Sequence, residues 1–373
     1  MIAGGLGGLG RSSARWMASR GARNLILLSR SGPRVEAAFA LLEELRSQGV
    51  HIETPACDIT AKEALSAVLA ACATTMPPIK GCIQGTMVLK DGVFEKMSHA
   101  DWTSATASKT LGSHNLSTLL PPTLDFFILL SSIAGILGSG GQANYAAGNT
   151  YMDALANHRL ALGQKAVSLD LGWMKSEGVV AENEYLEKGF AAAGFLMPVW
   201  QKEFQALLER YCDPSLDISE MRKTGQVVVG LETPAAVRAK GIDLPYFLHR
   251  PTYRHLHQMG LNGISQYSTT DEKIIDYPTL FSAAPSLATA STVVSDALVK
   301  KISKALSIPS DDIDTSKPLH AYAVDSLLAV ELRNWFAKEF SADVAIFDIM
   351  GAATFRAVAA TVAGRSGLKM RWD

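Results

Sequence analysis

Three groups of residues in this 373-residue chain have types and spacings that can do chemistry. The first is a pair of hydroxyls. Ser132 ends an apolar run, residues 127–132, and Tyr145 follows a short way beyond it. A phenol is a weak acid, with an unperturbed pKa of about 10. To donate a proton at neutral pH it wants a cation close by, and a second hydroxyl to help polarise a carbonyl. Lys109 is the candidate cation, on a helix predicted to precede the serine strand. The second group is the cluster Ala3-Gly4-Gly5-Leu6-Gly7-Gly8-Leu9-Gly10, with a helix predicted over 11–19. Glycines at 4, 5, 7, 8 and 10, with Leu9 among them, would let backbone approach a pyrophosphate lying at the helix N-terminus. A glycine-rich loop without a ligand is the alternative. The third is Ser326, expected at the start of an amphipathic helix with Asp325 before it. Taken alone, that pair also reads as an ordinary helix cap.

These residues need elements to hold them. Short apolar runs at 24–29, 51–56, 81–84, 125–131 and 166–171 read as strands, and 34–49 as an amphipathic helix carrying Ala38, Leu41, Leu42 and Leu45 on one stripe. Strands alternating with helices imply βαβ units and a doubly wound parallel α/β sheet of the Rossmann kind. Helices are expected at 182–193 and 198–211 and a further strand at 226–231. The predicted domain plan is a catalytic α/β domain over 1–260, a flexible Ser/Thr/Ala/Pro-rich linker over 261–290, and a small all-α bundle over 291–366 with helices at 291–306, 326–340 and a last short pair.

The strand at 24–29 ends on Ser29-Arg30. Dinucleotide folds often put a carboxylate there, on the adenosine ribose. The guanidinium of Arg30 would instead pair with a 2′-phosphate, which favours NADP(H) over NAD(H); a solvated surface arginine is the alternative. Asp58, with Ile59 beside it, is placed to accept from an adenine amine, although an aspartate in a strand-end turn needs no ligand to explain it.

Composition narrows the function classes. Apolar residues make up 48% of the chain and charged residues 19%, enough for buried cores and little for disorder. Lys+Arg is 35 against Asp+Glu 36, a formal charge of −1 that argues against nucleic acid or an anionic membrane as partner. Four cysteines without CxxC spacing point to a reducing, cytoplasmic setting. No apolar run approaches the roughly 18 residues that span a bilayer. His255 and His257 read as a surface pair, Lys300 and Lys301 as a solvated helix face, and Asp311 and Asp312 as loop carboxylates, so no metal site is expected.

Two signatures point to a family. In short-chain dehydrogenases the lysine sits one helical turn beyond the tyrosine, but here that place holds Asn149, in Tyr145-Ala146-Ala147-Gly148-Asn149. This lysine/asparagine exchange, with the glycine loop, Leu28-Ser29-Arg30-Ser31-Gly32, Ser131-Ser132-Ile133-Ala134-Gly135 and Leu169-Asp170-Leu171-Gly172-Trp173, resembles the ketoreductase domain of polyketide synthases over about residues 1–260. The resemblance implies Tyr145 as proton donor, Ser132 as donor to the carbonyl, Lys109 as the charge that lowers the tyrosine pKa, and Asn149 as support for the lysine and its water network. It implies NADPH as cofactor and a carrier-bound acyl thioester as substrate. In Leu89-Lys90-Asp91 the last aspartate of a stereochemical marker is kept and the middle one is not; the tryptophan marking the other class is replaced by Leu137. The second signature, Val324-Asp325-Ser326-Leu327-Leu328 with the later Phe347-Asp348-Ile349-Met350, resembles acyl carrier proteins of fungal highly reducing polyketide synthases. It implies 4′-phosphopantetheine on Ser326, a phosphopantetheinyl transferase to attach it, and other synthase domains as partners. The glycines begin almost at Met1, so the first strand is expected to be truncated, with an exposed sheet edge. That start motivates a competing expectation, a catalytically inactive fragment serving only as carrier and docking unit.

Overall fold

The computed structural model describes residues 1–176, 178, 184–259, 277–306, 310–322, 324, 326–351 and 353–368. Asp325, residue 260 and residues 261–276 of the expected linker lie outside the described residues. The chain divides into two compact units, Met1–Tyr267 and Ser268–Asp373.

In the first unit seven strands form one parallel sheet: β1 (Ile2–Ala3), β2 (Asn24–Leu28), β3 (His51–Glu53), β4 (Gly81–Gln84), β5 (Phe126–Ser132), β6 (Val167–Leu171) and β7 (Gln226–Val229). Their order is β3-β2-β1-β4-β5-β6-β7, and every pairing is parallel. The crossovers are helices, as parallel strands require. They are α1 (Gly8–Ser19), α2 (Glu36–Ser47), α3 (Lys62–Thr75), α4 (His99–Ala107), α5 (Leu111–Leu119), α6 (Ala134–Leu137) and α7 (Ala143–Ala161). Among the described residues, α8 (Glu184–Ala193), α9 (Gln201–Tyr211) and α10 (Ile218–Lys223) lie between β6 and β7, and α11 (Pro234–Ala239) follows β7. Helices on both faces explain why β2 is apolar and buried at every residue from Leu25 to Leu28. Leu27 and Leu28 point to opposite faces of β2 and are both fully buried. Each such leucine contributes about 1.5–3 kcal/mol relative to an exposed one.

The predicted strands and helices appear with shifted bounds. The 51–56 run is strand only to Glu53, with Ala56 bridging Ser29 beyond it; 226–231 is strand only to Val229, with Leu231 bridging Leu196; and α1 starts earlier than predicted, at Gly8, so Gly8, Leu9 and Gly10 belong to its first turn. The expectation of a sheet edge at the N-terminus is corrected. β1 lies inside the sheet, with Ile2 paired to Leu27 on one side and Ile83 on the other. Lys109 also differs from expectation: it lies in the turn between α4 and α5, not on a helix.

The second unit is helical, as predicted: α12 (Tyr277–Ser282), α13 (Leu287–Leu306), α14 (Ser326–Phe340), α15 (Ile346–Met350) and α16 (Phe355–Arg365). Its core gathers Phe281, Leu298, Leu319, Phe336, Phe340 and Phe355, all fully buried. Residues 277–290 of the expected linker are therefore structured. Phe281, Ala284 and Ala290 are buried against this core, an apolar stripe that the Ser/Thr/Pro-rich composition of the segment concealed.

Candidate active site

Parallel α/β sheets bind ligands beyond the strand C-termini, where neighbouring strands lead off in opposite directions. Here that point lies between β1 and β4, and a cavity of 1220 Å³ opens there. Close backbone approach shapes its floor. A Cβ on Gly10 would lie 2.2 Å from the Gly4 carbonyl oxygen, and one on Gly4, whose φ is +76°, would lie 2.8 Å from the Gly85 oxygen. The loop is held from below, since Gly4 and Gly5 N–H donate to the Leu28 carbonyl at 2.9 and 3.1 Å. Gly7 caps α1 with no side chain over the helix end, so the first-turn N–H groups are left for an anion.

Gly4, Gly7, Gly8, Leu9, Gly10, Ser29, Arg30, Asp58 and Ile59 all line the cavity. Gly5 does not. It packs under the loop, where a Cβ would meet that of Leu27 at 2.9 Å. The Ser29 hydroxyl is buried with no partner, and the Arg30 side chain is exposed beside it. Asp58 makes the strand-end turn that was the alternative: its Oδ1 accepts from Thr60 N–H at 2.9 Å and from the Thr60 hydroxyl at 2.8 Å. Ile59 is buried, its carbonyl accepting from Asn115 Nδ2 at 2.9 Å. A Cβ-free cradle at a helix N-terminus, an unpaired serine hydroxyl and a guanidinium together fit a phosphorylated dinucleotide.

Ser132, Tyr145 and Lys109 line the same cavity beyond the glycine loop. β5 delivers Ser132 at its C-terminal end, where Oγ accepts from Ala134 N–H at 3.2 Å. The first turn of α7 delivers Tyr145, and its third residue pair with Asn149 is an i,i+4 contact: Asn149 Nδ2 donates to the Tyr145 carbonyl at 2.8 Å. Gln84, ending β4, fixes the turn that carries the lysine, donating from Nε2 to the Ser108 carbonyl at 2.9 Å. Lys109 is 2% exposed; its Nζ donates to the Leu130 carbonyl at 3.1 Å and lies 5.3 Å from the centre of the Tyr145 ring. Asn149 is fully buried and does not line the cavity.

Burial pushes the Tyr145 phenol above its ordinary value; hydrogen bonding with Ser132 and Asn149 pulls it back, and Asp91 pushes it further up. The resting phenol therefore keeps its proton at neutral pH. Burial lowers Lys109 to about 7, against the opposing pull of Asp153 and Asp170. The ammonium of Lys109 lies over the ring face, where it would stabilise a developing phenolate, which is the pKa-lowering role that the resemblance implies.

Several supporting residues carried no individual signal in the sequence. Gly148 is one: a Cβ there would lie 3.1 Å from Lys109 Cβ and 3.3 Å from its Cδ, so the glycine is what admits the lysine stem against α7. Ser131, Asp153 and Asp170 are others, buried behind the lysine. Asp91 lines the cavity and accepts from Gln142 Nε2 at 3.0 Å, which ties the loop after β4 to the start of α7. The far wall is apolar and aromatic. Trp173 stacks on Phe190 with centroids 6.3 Å apart, and Leu137, Leu196 and Phe247 stand beside them.

In the second unit, Ser326 is the first residue of α14 and is exposed, while Ala329, Leu332 and Phe336 bury the opposite side of that helix. His257 Nε2 lies 2.8 Å from the Leu248 carbonyl, and no metal-binding cluster occurs among the described residues. No helix among them is long and apolar enough to cross a membrane, and the four cysteines are free.

Residues 1–176 match the family described as KR domain, and residues 286–370 match the C-terminal ACP domain of the highly reducing polyketide synthase sdgA. Highly reducing polyketide synthase 40 of Fusarium mangiferae is 50% identical over 374 residues, covering 98% of this chain. The 6-hydroxymellein synthase cdmE of Talaromyces verruculosus is 40% identical over 353 residues, covering 94% of it. The chain spans only 15% and 13% of the lengths of these two relatives. Among solved structures, the ketoreductase from the first module of phoslactomycin biosynthesis in Streptomyces sp. HK803 is 33% identical with a TM-score of 0.57, over 65% of this chain and 56% of that one. An A1-type ketoreductase is 30% identical with a TM-score of 0.54, over 62% and 47% respectively.

Proposed function

We propose, for a chain that belongs to the highly reducing polyketide synthases as a ketoreductase domain followed by a C-terminal acyl carrier domain, that it reduces a carrier-bound 3-oxoacyl thioester to the 3-hydroxyacyl thioester with NADPH. The observation that carries this reading is the convergence of Ser132, Tyr145 and Lys109 on one cavity with the glycine loop and Arg30.

Gly4, Gly7, Gly8 and Gly10 with the α1 N-terminus would hold the pyrophosphate, and Arg30 the 2′-phosphate. NADPH supplies the hydride that the ketone carbon takes up. Ser132 and Tyr145 then share the developing charge on the ketone oxygen, and Tyr145 Oη gives up its proton to that oxygen. Lys109, over the ring of Tyr145, stabilises the phenolate left behind. Asn149 holds the first turn of α7 through the Tyr145 carbonyl and so fixes the phenol in place. The aromatic wall around Trp173 and Phe190 excludes water and accepts the acyl tail.

Ser326 is the attachment point for 4′-phosphopantetheine. Its exposure at a helix start suits modification by a phosphopantetheinyl transferase, and its thioester delivers the chain to the reductase and to the other synthase domains. Free cysteines, three of them buried, fit a reducing cytoplasm, and the near-zero net charge fits neither nucleic acid nor a membrane as partner. The test is NADPH oxidation by the purified chain with a 3-oxoacyl N-acetylcysteamine thioester. Turnover with release of the 3-hydroxy product is expected, and a folded chain that consumes no NADPH would overturn the reading.

A further inference from the structure

A buried ammonium needs a counter-charge, yet Lys109 makes no ion pair among the described residues. Its hydrogen bond goes to a neutral acceptor, the Leu130 carbonyl. The acids that face it are Asp153 on α7 and Asp170 on β6. From β5 the neighbouring groups are hydroxyls, and from α7 the phenol of Tyr145. Asp91, from the loop after β4, acts on Tyr145 instead. Arg159, further along α7, is engaged elsewhere, with its guanidinium 4.2 Å over the Phe127 ring and Nη1 donating to the Ser117 hydroxyl.

The two acids are not equivalent. Asp153 Oδ1 accepts from the Ser131 hydroxyl at 2.9 Å and from the Ser168 hydroxyl at 2.6 Å, so two donors are aimed at one oxygen. Asp170 is fully buried; its Oδ2 accepts from Gln226 Nε2 at 2.8 Å, while Oδ1 is buried with no donor. Its carboxyl lies against that of Asp153. A proton on Asp170 Oδ1 supplies the missing hydrogen bond, and two touching carboxyls in so dry a place cannot both ionise cheaply. Ser131 ties this pair to the site, since its hydroxyl also lies 3.3 Å from the Asn149 carbonyl.

We propose that Asp153 carries the negative charge that keeps Lys109 protonated, that Asp170 holds the proton the two acids share, and that Asp153 is thereby a positioning residue for the Tyr145 acid. This rests on the reductase reading above. The directions of titration agree with it: burial and the Asp153 charge push Asp170 up to about 8, and Lys109, already lowered to about 7 by burial, is held up by Asp153 first. Without that charge the ammonium loses its proton at lower pH. The alkaline limb of kcat, where Lys109 deprotonates, therefore moves to lower pH.

The experiment is a 15N-lysine NMR titration of the full chain, with the Lys109 signal assigned by its loss in Lys109→Gln. Asp153→Asn in the Asp170→Asn background, where no second acid can ionise in its place, is expected to lower the Lys109 midpoint by about one pH unit or more relative to Asp170→Asn alone, and the alkaline limb of kcat by the same amount, with KM for the thioester held within about twofold. Asp170→Asn alone imitates the protonated acid and moves both by less than half as much. If the double variant does not fold, Ser168→Ala removes one of the two hydroxyls aimed at Asp153 Oδ1, and a smaller fall of the midpoint is expected. An unmoved Lys109 midpoint in the folded variant overturns the proposal whether or not the chain turns over. A midpoint that falls in a chain with no reductase activity overturns the reductase reading alone.

Discussion

The candidate reductase site and the candidate carrier serine would have to solve opposite problems. Lys109 is 2% exposed and Asn149 is fully buried, whereas Ser326 stands exposed at the start of α14. Around Tyr145 each polar group is fixed by another: Gln84 holds the lysine turn, Gly148 admits the lysine stem, and Asn149 braces the tyrosine backbone. This is what a group must have if it is to move a proton on cue, because preorganised donors cost no reorganisation when charge develops. On the proposed function an enzyme would attach an arm to Ser326 and the arm, not the serine, would react, so accessibility would matter more there than a network. One region is therefore sensitive to sub-ångström shifts and to pH, and the other to the presence of a single hydroxyl.

The contrast can be broken from either side. The largest effect is expected at the carrier: Ser326→Ala should abolish the mass gain on incubation with coenzyme A and a phosphopantetheinyl transferase, read by intact mass spectrometry. A retained gain would place the arm elsewhere. In the reductase, Tyr145→Phe should lower kcat by about 10²–10⁴-fold, the usual worth of a positioned acid, measured by NADPH oxidation. Removing the Arg30 guanidinium with Arg30→Ala should raise KM for NADPH about 10–100-fold, since a hydrogen bond to a charged group is worth about 1.5–3 kcal/mol, while KM for NADH stays nearly level. The smallest effect sharpens the comparison most. Gly148→Ala adds one methyl against the Lys109 stem and should cut kcat about tenfold by displacing the ammonium, with the fold intact by circular dichroism. An unchanged kcat would mean that the lysine position is not set by this contact.

Much of the architecture was legible because its signals are local. The apolar runs of β2 and β5 and the stripe of α2 follow from period alone, and the two serines at the end of β5 mark a strand terminus. The glycine loop was legible for the same reason, since only glycine allows the Gly4–Gly85 and Gly10–Gly4 approaches. What stayed hidden depends on pairing across the sheet. β1 has two residues, too few to read as a strand, and only its partners β2 and β4 make it one. Ser131, Asp153 and Asp170 come from β5, α7 and β6, and nothing in their sequence spacing says that they meet. Residues 277–290 read as linker because Ser, Thr, Ala and Pro dominate the count, while one phenylalanine, Phe281, anchors the segment in the carrier core. The Lys109 turn falls between two helices that periodicity runs together.

The central claim is that the cavity beside the glycine loop reduces what Ser326 carries. It is tested most directly by loading a 3-oxoacyl-pantetheine arm onto Ser326, adding NADPH, and following the intact mass of the carrier-bound chain. The account predicts that the arm gains the mass of two hydrogen atoms and that Tyr145→Phe prevents the gain. An arm whose mass stays the same in a folded, loaded wild-type chain would contradict it.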